Sequence, residues 1–216
     1  MSENRPPADD QDLTLSPRFT AVDVELAERR CLHQGFFRLE ELHLRHRLFE
    51  GGWSAEMVRE VHHRYDAVGV LLYDVERDTV ALVEQFRAGA VDDPESPWKV
   101  EVVAGLVKQG ESATEVARRE GMEEAGCEVG ELIELHTYSP SPGACNERVT
   151  LFCGLVDSRG LGGVHGLDEE HEDIRVHVLP FTRAWELLQA GRLDSAMCLI
   201  TFYWLIGERA SLRARR

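Results

Sequence analysis

Residues 119–124 read Arg-Glu-Gly-Met-Glu-Glu, which brings three carboxylates and a guanidinium close enough for shared chemistry. On a helix, advancing about 100° per residue, Ala113, Val116, Ala117, Glu120 and Glu124 fall within one stripe about 100° wide. Two glutamates therefore lie on the apolar face, with Glu123 at its edge one turn on from Glu120. Thr114, Glu115, Arg118, Arg119 and Met122 fill the other sides and offer no alternative buried face. Carboxylates crowded on an inward face repel one another and resist desolvation unless cations compensate them. Hard divalent cations take oxygen ligands, and magnesium is commonly shared between carboxylates and substrate phosphates. Arg119 can reach Glu115 and Glu123 at four-residue spacing and hold the array in register. The alternative for the same residues is a salt-bridge network that only stabilises a solvated helix.

A helix bearing such an array needs defined ends and a rigid base. Ser112-Ala-Thr-Glu115 has the spacing of a capping box, and Gly126 stands where a helix C-terminus needs positive φ. Ahead of the helix, WKVEVVAGLV reads as one strand, and Gly105 within it would let the backbone come close to a metal or phosphate. AVGVLLYDV and DTVALVEQF form a hairpin across Glu76, Arg77 and Asp78. Later strands are ELIELHTYS, RVTLFCGLV and IRVHVLPF, with a glycine-rich loop over 158–173. Two closing helices are expected, one over about 183–190 begun by Thr182 and ended by Gly191, the other over about 195–212. Strands with helices inserted predict an α/β fold with a mixed sheet between helical layers. FTAVDVELAERRCLHQ and GFFRLEELHLRHRLF, closed by Gly51-Gly52, read as a separate small antiparallel β domain. The expected organisation is a polar tail over 1–17, the β domain over 18–64 and the main domain over 65–216.

The composition narrows the function. With 24 basic and 39 acidic residues, the net charge of −15 argues against binding a nucleic-acid backbone. No apolar run reaches the length of about 20 residues needed to span a membrane, and the first residues do not read as a signal peptide, so a cytoplasmic protein is expected. Five cysteines without a CxxC pair predict reduced thiols rather than disulfides or a thiolate metal site.

Taken together, Gly105, Glu111, Arg119, Glu120, Glu123, Glu124 and Gly126 stand at the spacing of the Nudix signature, with Gly121 and Cys127 at positions where that signature has aliphatic residues. Over about residues 30 to 205 the chain resembles the bacterial ADP-ribose pyrophosphatases, in GFFRLEELHLRHRLF, VEQFRAGA, the signature, SPSPGACNER and HGLDEEHEDIRVHV. The resemblance implies a Nudix α/β/α sandwich and an N-terminal β domain exchanged between the subunits of a homodimer. It also implies hydrolysis of ADP-ribose to AMP and ribose 5-phosphate, with magnesium, or manganese in its place, as cofactor. On the same ground the metal shell would be the Ala104 carbonyl, Glu120, Glu124 and Glu172, with Glu123 in support. Glu170 would be the base that activates water, with Glu169 and Glu172 as competitors in the acidic run. Phe36 would stack on adenine, with Arg59 and Glu60 reaching in from the partner subunit. Arg87 would contact the phosphates, Leu106 would line the substrate site and Glu147 would meet the distal ribose. The family often has two glycines after Ser-Pro, whereas Ser141-Pro142-Gly143-Ala144 has one, which bears on the position of Glu147. The rival readings are a pyrophosphatase for GDP-mannose or another nucleotide sugar, and a sensor that binds ADP-ribose without cleaving it.

Overall fold

The computed structural model describes residues 16–215, so most of the expected 1–17 tail lies outside the described residues. The chain divides into two units between His62 and His63. In the first, β1 (Val24–Gln34), β2 (Arg38–His46) and β3 (Met57–His63) form a sheet in that order, with β1 and β2 antiparallel. Gln34 and Arg38 are the last pair of the β1–β2 hairpin, and the Gly35 N–H closes its tip on the Phe37 carbonyl at 2.9 Å. Within β2, Glu40 is buried and gripped by Arg29 and Arg38.

In the second unit, β4 (Ala67–Asp74) is buried along its whole length, as a central strand covered on both faces must be. Beside it run β5 (Thr79–Phe86), antiparallel, and β9 (Val149–Leu155), parallel, so the sheet is mixed. The order is completed by β8 (Leu132–Tyr138), β10 (Gly163–His165) and β11 (Ile174–Pro180) as β10-β11-β5-β4-β9-β8. Alternation along β4 separates two cores. Val68, Val70 and Leu72 pack with Val116 and Ala117 of α1 (Ala113–Ala125). Leu71 and Tyr73 pack with residues of α2 (Phe181–Gln189) and α3 (Ala196–Ala214). Helices on both faces of a mixed sheet give the expected α/β/α sandwich.

Three expectations need correction. WKVEVVAGLV is two strands, β6 (Trp98–Glu101) paired with β5 and β7 (Val103–Leu106) paired with β4. Val102 and Val103 face opposite cores at the break, and hydrophobic patterning cannot reveal a change of partner strand. The 158–173 segment carries β10 and a 3₁₀ turn over Asp168–Glu170 instead of remaining loop throughout. Thr182 does not cap α2; Pro180 precedes the helix, and the Phe181 N–H is satisfied by the Asp78 carbonyl at 2.9 Å. A donor met by a distant turn needs no local cap.

Candidate active site

The ends of α1 form as its spacing requires. The Ser112 hydroxyl accepts from the Glu115 N–H at 3.3 Å, and the Glu115 carboxylate accepts from the Ser112 N–H at 2.8 Å. Gly126 closes the helix with φ 58°. The buried face holds Val116, Ala117, Glu120, Gly121, Glu124 and Ala125. Gly121 is small for a packing reason, because a Cβ there would stand 2.5 Å from Cγ2 of buried Val129. Gly121→Leu, restoring the aliphatic type of the signature, should therefore destabilise by about 1–3 kcal/mol in spite of a helix-propensity gain approaching 1 kcal/mol. Thermal unfolding checks this, and an unchanged or raised Tm would contradict it.

Glu120 and Glu124 are 9% and 2% exposed. Burial pushes the Glu124 carboxyl up to about 8, against hydrogen bonds from the Ala104 N–H at 3.0 Å and Gln85 Nε2 at 3.2 Å. Burial also raises Glu120, opposed by Arg119 and reinforced by the charges of Glu123 and Glu172. Arg119 is the hub, donating to Glu120 at 2.6 Å, Glu123 at 2.9 Å, Glu111 at 3.0 Å and the Leu106 carbonyl at 3.3 Å. The expected pairing with Glu115 is absent because that carboxylate is taken by the capping box. Gly105 makes room for this array, since a Cβ on it would overlap Oε1, Cδ and Cγ of Glu120.

The acidic segment lies against the end of α1, its Gly166 N–H donating to the Glu123 carbonyl at 3.1 Å. Glu172 accepts from the Leu167 N–H at 3.3 Å. Glu170 is exposed and faces Lys108, just past β7, at 3.7 Å.

In front of the Ala104-Gly105 wall is a cavity of about 430 Å³. Its floor includes one rung across four strands, Leu106 of β7 opposite Ala67, Ala67 opposite Val149, and Val149 opposite Tyr138. Arg64, Arg87, Glu101 and Glu147 supply its charged lining. Arg87 pairs with Glu101 at 2.6 Å, and Glu147, 5% exposed, pairs with Arg64 at 3.1 Å. Ser195, the cap of α3, and Met197 complete one side.

Residues 63–197 match the NUDIX domain family. This chain belongs to the Nudix family. It is 43% identical to the ADP-ribose pyrophosphatase of Escherichia coli (strain K12) over 191 residues, 88% of this chain and 91% of that one. It is 42% identical to the ADP-ribose pyrophosphatase of Haemophilus influenzae, covering 90% and 91%. A GDP-mannose pyrophosphatase of Escherichia coli (strain SMS-3-5 / SECEC) is 34% identical over 68% of this chain and 76% of its own. A solved structure of an ADP compounds hydrolase superposes with a TM-score of 0.65 at 20% identity, over 86% of this chain and 96% of that one, a likeness of fold. With every polar and glycine position of the signature in place, this kinship makes the chain a Nudix pyrophosphatase.

The Nudix helix offers a divalent metal a suitable donor set. Its carboxylates are hard oxygen donors, two of them buried and raised chiefly by that burial and then by neighbouring carboxylate charge, beside a glycine that leaves no room for a side chain. Among the described residues no three acidic, histidine or cysteine side chains already converge as a ligand group, because Arg119, Gln85 and the Ala104 N–H hold the carboxylates.

Of the residues singled out from the sequence, Arg87, Ala104, Leu106 and Glu147 line the cavity, and Glu120 and Glu124 stand behind its wall. Phe36, Arg59 and Glu60 belong to the N-terminal unit. Phe36 is 68% exposed at the β1–β2 tip with its ring edge-on to Phe37, and Arg59 and Glu60 are exposed on β3. Arg64, Gln85, Glu101 and Tyr138 escaped the sequence reading. Gln85 had a signal, a polar residue on the strand face that otherwise carries the apolar Ala81 and Val83. The other three had none, since their place depends on strand order.

Proposed function

We propose that this Nudix pyrophosphatase hydrolyses ADP-ribose to AMP and ribose 5-phosphate, with magnesium held at α1. The observation that carries this is the buried carboxylate pair Glu120 and Glu124, set directly behind a cavity whose lining includes Arg64 and Arg87. An anionic substrate fits the arginines, and the carboxylates fit the cations that such a substrate needs. Ala104 through its carbonyl, Glu120, Glu124 and Glu172 would hold magnesium, with Glu123 in support; manganese has the same ligand preference. Bound there, the metal would neutralise the pyrophosphate and lower the pKa of a water. For Glu120 to serve, Arg119 must share or release it.

Arg87 orients the phosphates, Glu147 the distal sugar and Leu106 the floor beneath them. Glu170 accepts the proton of the attacking water from its exposed position on the acidic segment. Glu170→Gln should lower kcat by about 10²–10⁴-fold with metal affinity intact. Stopped-assay kinetics and metal titration check this together, and a near-normal kcat would remove Glu170 from the role. The reading includes a homodimer, with Phe36, Arg59 and Glu60 contacting the nucleotide. It also places the protein in the cytoplasm, where Cys31, Cys127, Cys145, Cys153 and Cys198 stay free thiols. None of the described helices is long and apolar enough to cross a membrane.

A second reading, hydrolysis of GDP-mannose or another nucleotide sugar on the same machinery, is favoured by the GDP-mannose pyrophosphatase relatives. The test is the rate of AMP release from ADP-ribose with and without magnesium, run beside GDP-mannose and ATP. Fast metal-dependent cleavage of ADP-ribose alone supports the proposal. Preference for another substrate moves the activity to it, and no cleavage of any favours a sensor.

A further inference from the structure

The acidic segment that carries Glu170 meets the end of α1 at two successive residues, His165 and Gly166. His165 closes β10 opposite Ile174 of β11, and Ile174 is buried in the core shared with α1. Residues paired across a ladder point to the same face, so His165 turns toward α1, while Val164, one position back, is exposed. The imidazole lies against the left-handed end of the helix, where a Cβ on Gly126 would stand 2.5 Å from its Cε1 and 2.9 Å from its Nδ1. Nε2 of the same ring bonds the Gly162 carbonyl at 2.8 Å, and because a carbonyl only accepts, Nε2 carries the proton. The chain gathered there has positive φ at Gly160, Gly162 and Gly163, a run with many conformations open to it unless a contact selects one.

From His165 the register passes to the carboxylates within a few residues. The Gly166 N–H donates to the Glu123 carbonyl at 3.1 Å, and a Cβ on Gly166 would stand 2.7 Å from Cβ of Glu172, so the two ends of the acidic turn are in contact. The Leu167 carbonyl accepts from the N–H groups of Glu170 at 3.0 Å and Glu172 at 3.2 Å, which closes the turn around Glu170. The turn is braced on itself, and its place beside α1 depends on its root. We infer that His165 is a positioning residue, its ring the spacer between Gly126 and the acidic segment that sets where Glu170 stands relative to the carboxylates of α1. This rests on the proposed role of Glu170 as the base. A group that takes a proton from water must lie within hydrogen-bonding reach of it, and a displacement of about 1 Å costs rate.

His165→Ala removes the ring and its bond to Gly162 while keeping the β10–β11 ladder, which is made by backbone groups. With the full chain, ADP-ribose and saturating magnesium, His165→Ala should lower kcat about 10- to 100-fold while KM changes by less than about threefold. His165→Gln, whose flat amide presents an N–H to the Gly162 carbonyl, should recover most of that loss. His165→Leu, which fills the space without a donor, should not, and the glutamine–leucine comparison stands by itself where alanine does not fold. On a Glu170→Gln background, His165→Ala should cost less than about threefold more, because the group it places is already gone. A wild-type kcat in His165→Ala, equal recovery by leucine, or the same loss on both backgrounds would overturn the inference, return His165 to a packing residue of β10 and leave hydrolysis standing. A Glu170→Gln enzyme with near-normal kcat would remove the base, and this inference with it.

Discussion

Glu124→Gln and Glu120→Gln are each expected to reduce kcat/KM by about 10³-fold or more, with the loss traced to metal affinity. The substitutions keep shape and remove charge. At 124 the hydrogen bonds can all be retained. The new side-chain oxygen accepts from the Ala104 N–H, and a flip of the Gln85 amide presents its oxygen to the new NH₂ group. Burial opposes charge on Glu124, so removing the charge should leave thermal stability unchanged or higher in metal-free buffer. Activity and stability are thus expected to separate, which a plain structural role for Glu124 would not produce. Kinetics, isothermal titration with magnesium and thermal unfolding on the same samples decide it. A Glu124→Gln enzyme with wild-type turnover would remove the carboxylate from the mechanism, and one that loses activity only by unfolding would return α1 to a salt-bridged scaffold.

The second large effect is expected from one added methyl group. Gly105→Ala should lower kcat/KM by about 10²-fold or more. Gly105 lies in β7 opposite Val68 and has no positive φ, so alanine can adopt its backbone without strain. What alanine cannot do is share space with Glu120, whose Cγ, Cδ and Oε1 already fill the position of a Cβ. Glu120 must swing away, breaking its 2.6 Å bond to Arg119 and withdrawing one ligand from the array. Gly207→Ala in α3, where an added Cβ meets nothing within 4 Å, is the matched control and should leave the rate unchanged. If Gly105→Ala turns over normally, Glu120 has another productive position and its present one is not the working geometry.

Both effects depend on a helix whose outline is readable in the sequence. Ser112, Glu115 and Gly126 mark its ends by local hydrogen bonding and one left-handed residue, which are short-range properties. The stripe of Val116, Ala117, Glu120 and Glu124 follows from a period of 3.6 residues. Partner choice was less legible. Arg119 could reach Glu115 or Glu123 by spacing alone, yet it takes Glu111 and Glu120 as well as Glu123, because the loop after β7 folds back and the capping box engages Glu115. Likewise the single expected strand at 98–107 divides where Val102 turns to the opposite core.

Periodic and local features were legible along the chain: the capped carboxylate helix, the alternating strands, the acidic segment and the family to which their spacing belongs. Those follow from interactions between residues a few positions apart. What each carboxylate faces is set by packing between distant segments. Gly105 yields its side-chain space to Glu120, fifteen residues on in the chain. Gln85 meets Glu124 across a separation of 39 residues, and Asn146 binds Arg64 across 82. These pairings depend on which strands lie side by side, a choice made by burying both faces of β4 at once, and no spacing along the chain encodes it.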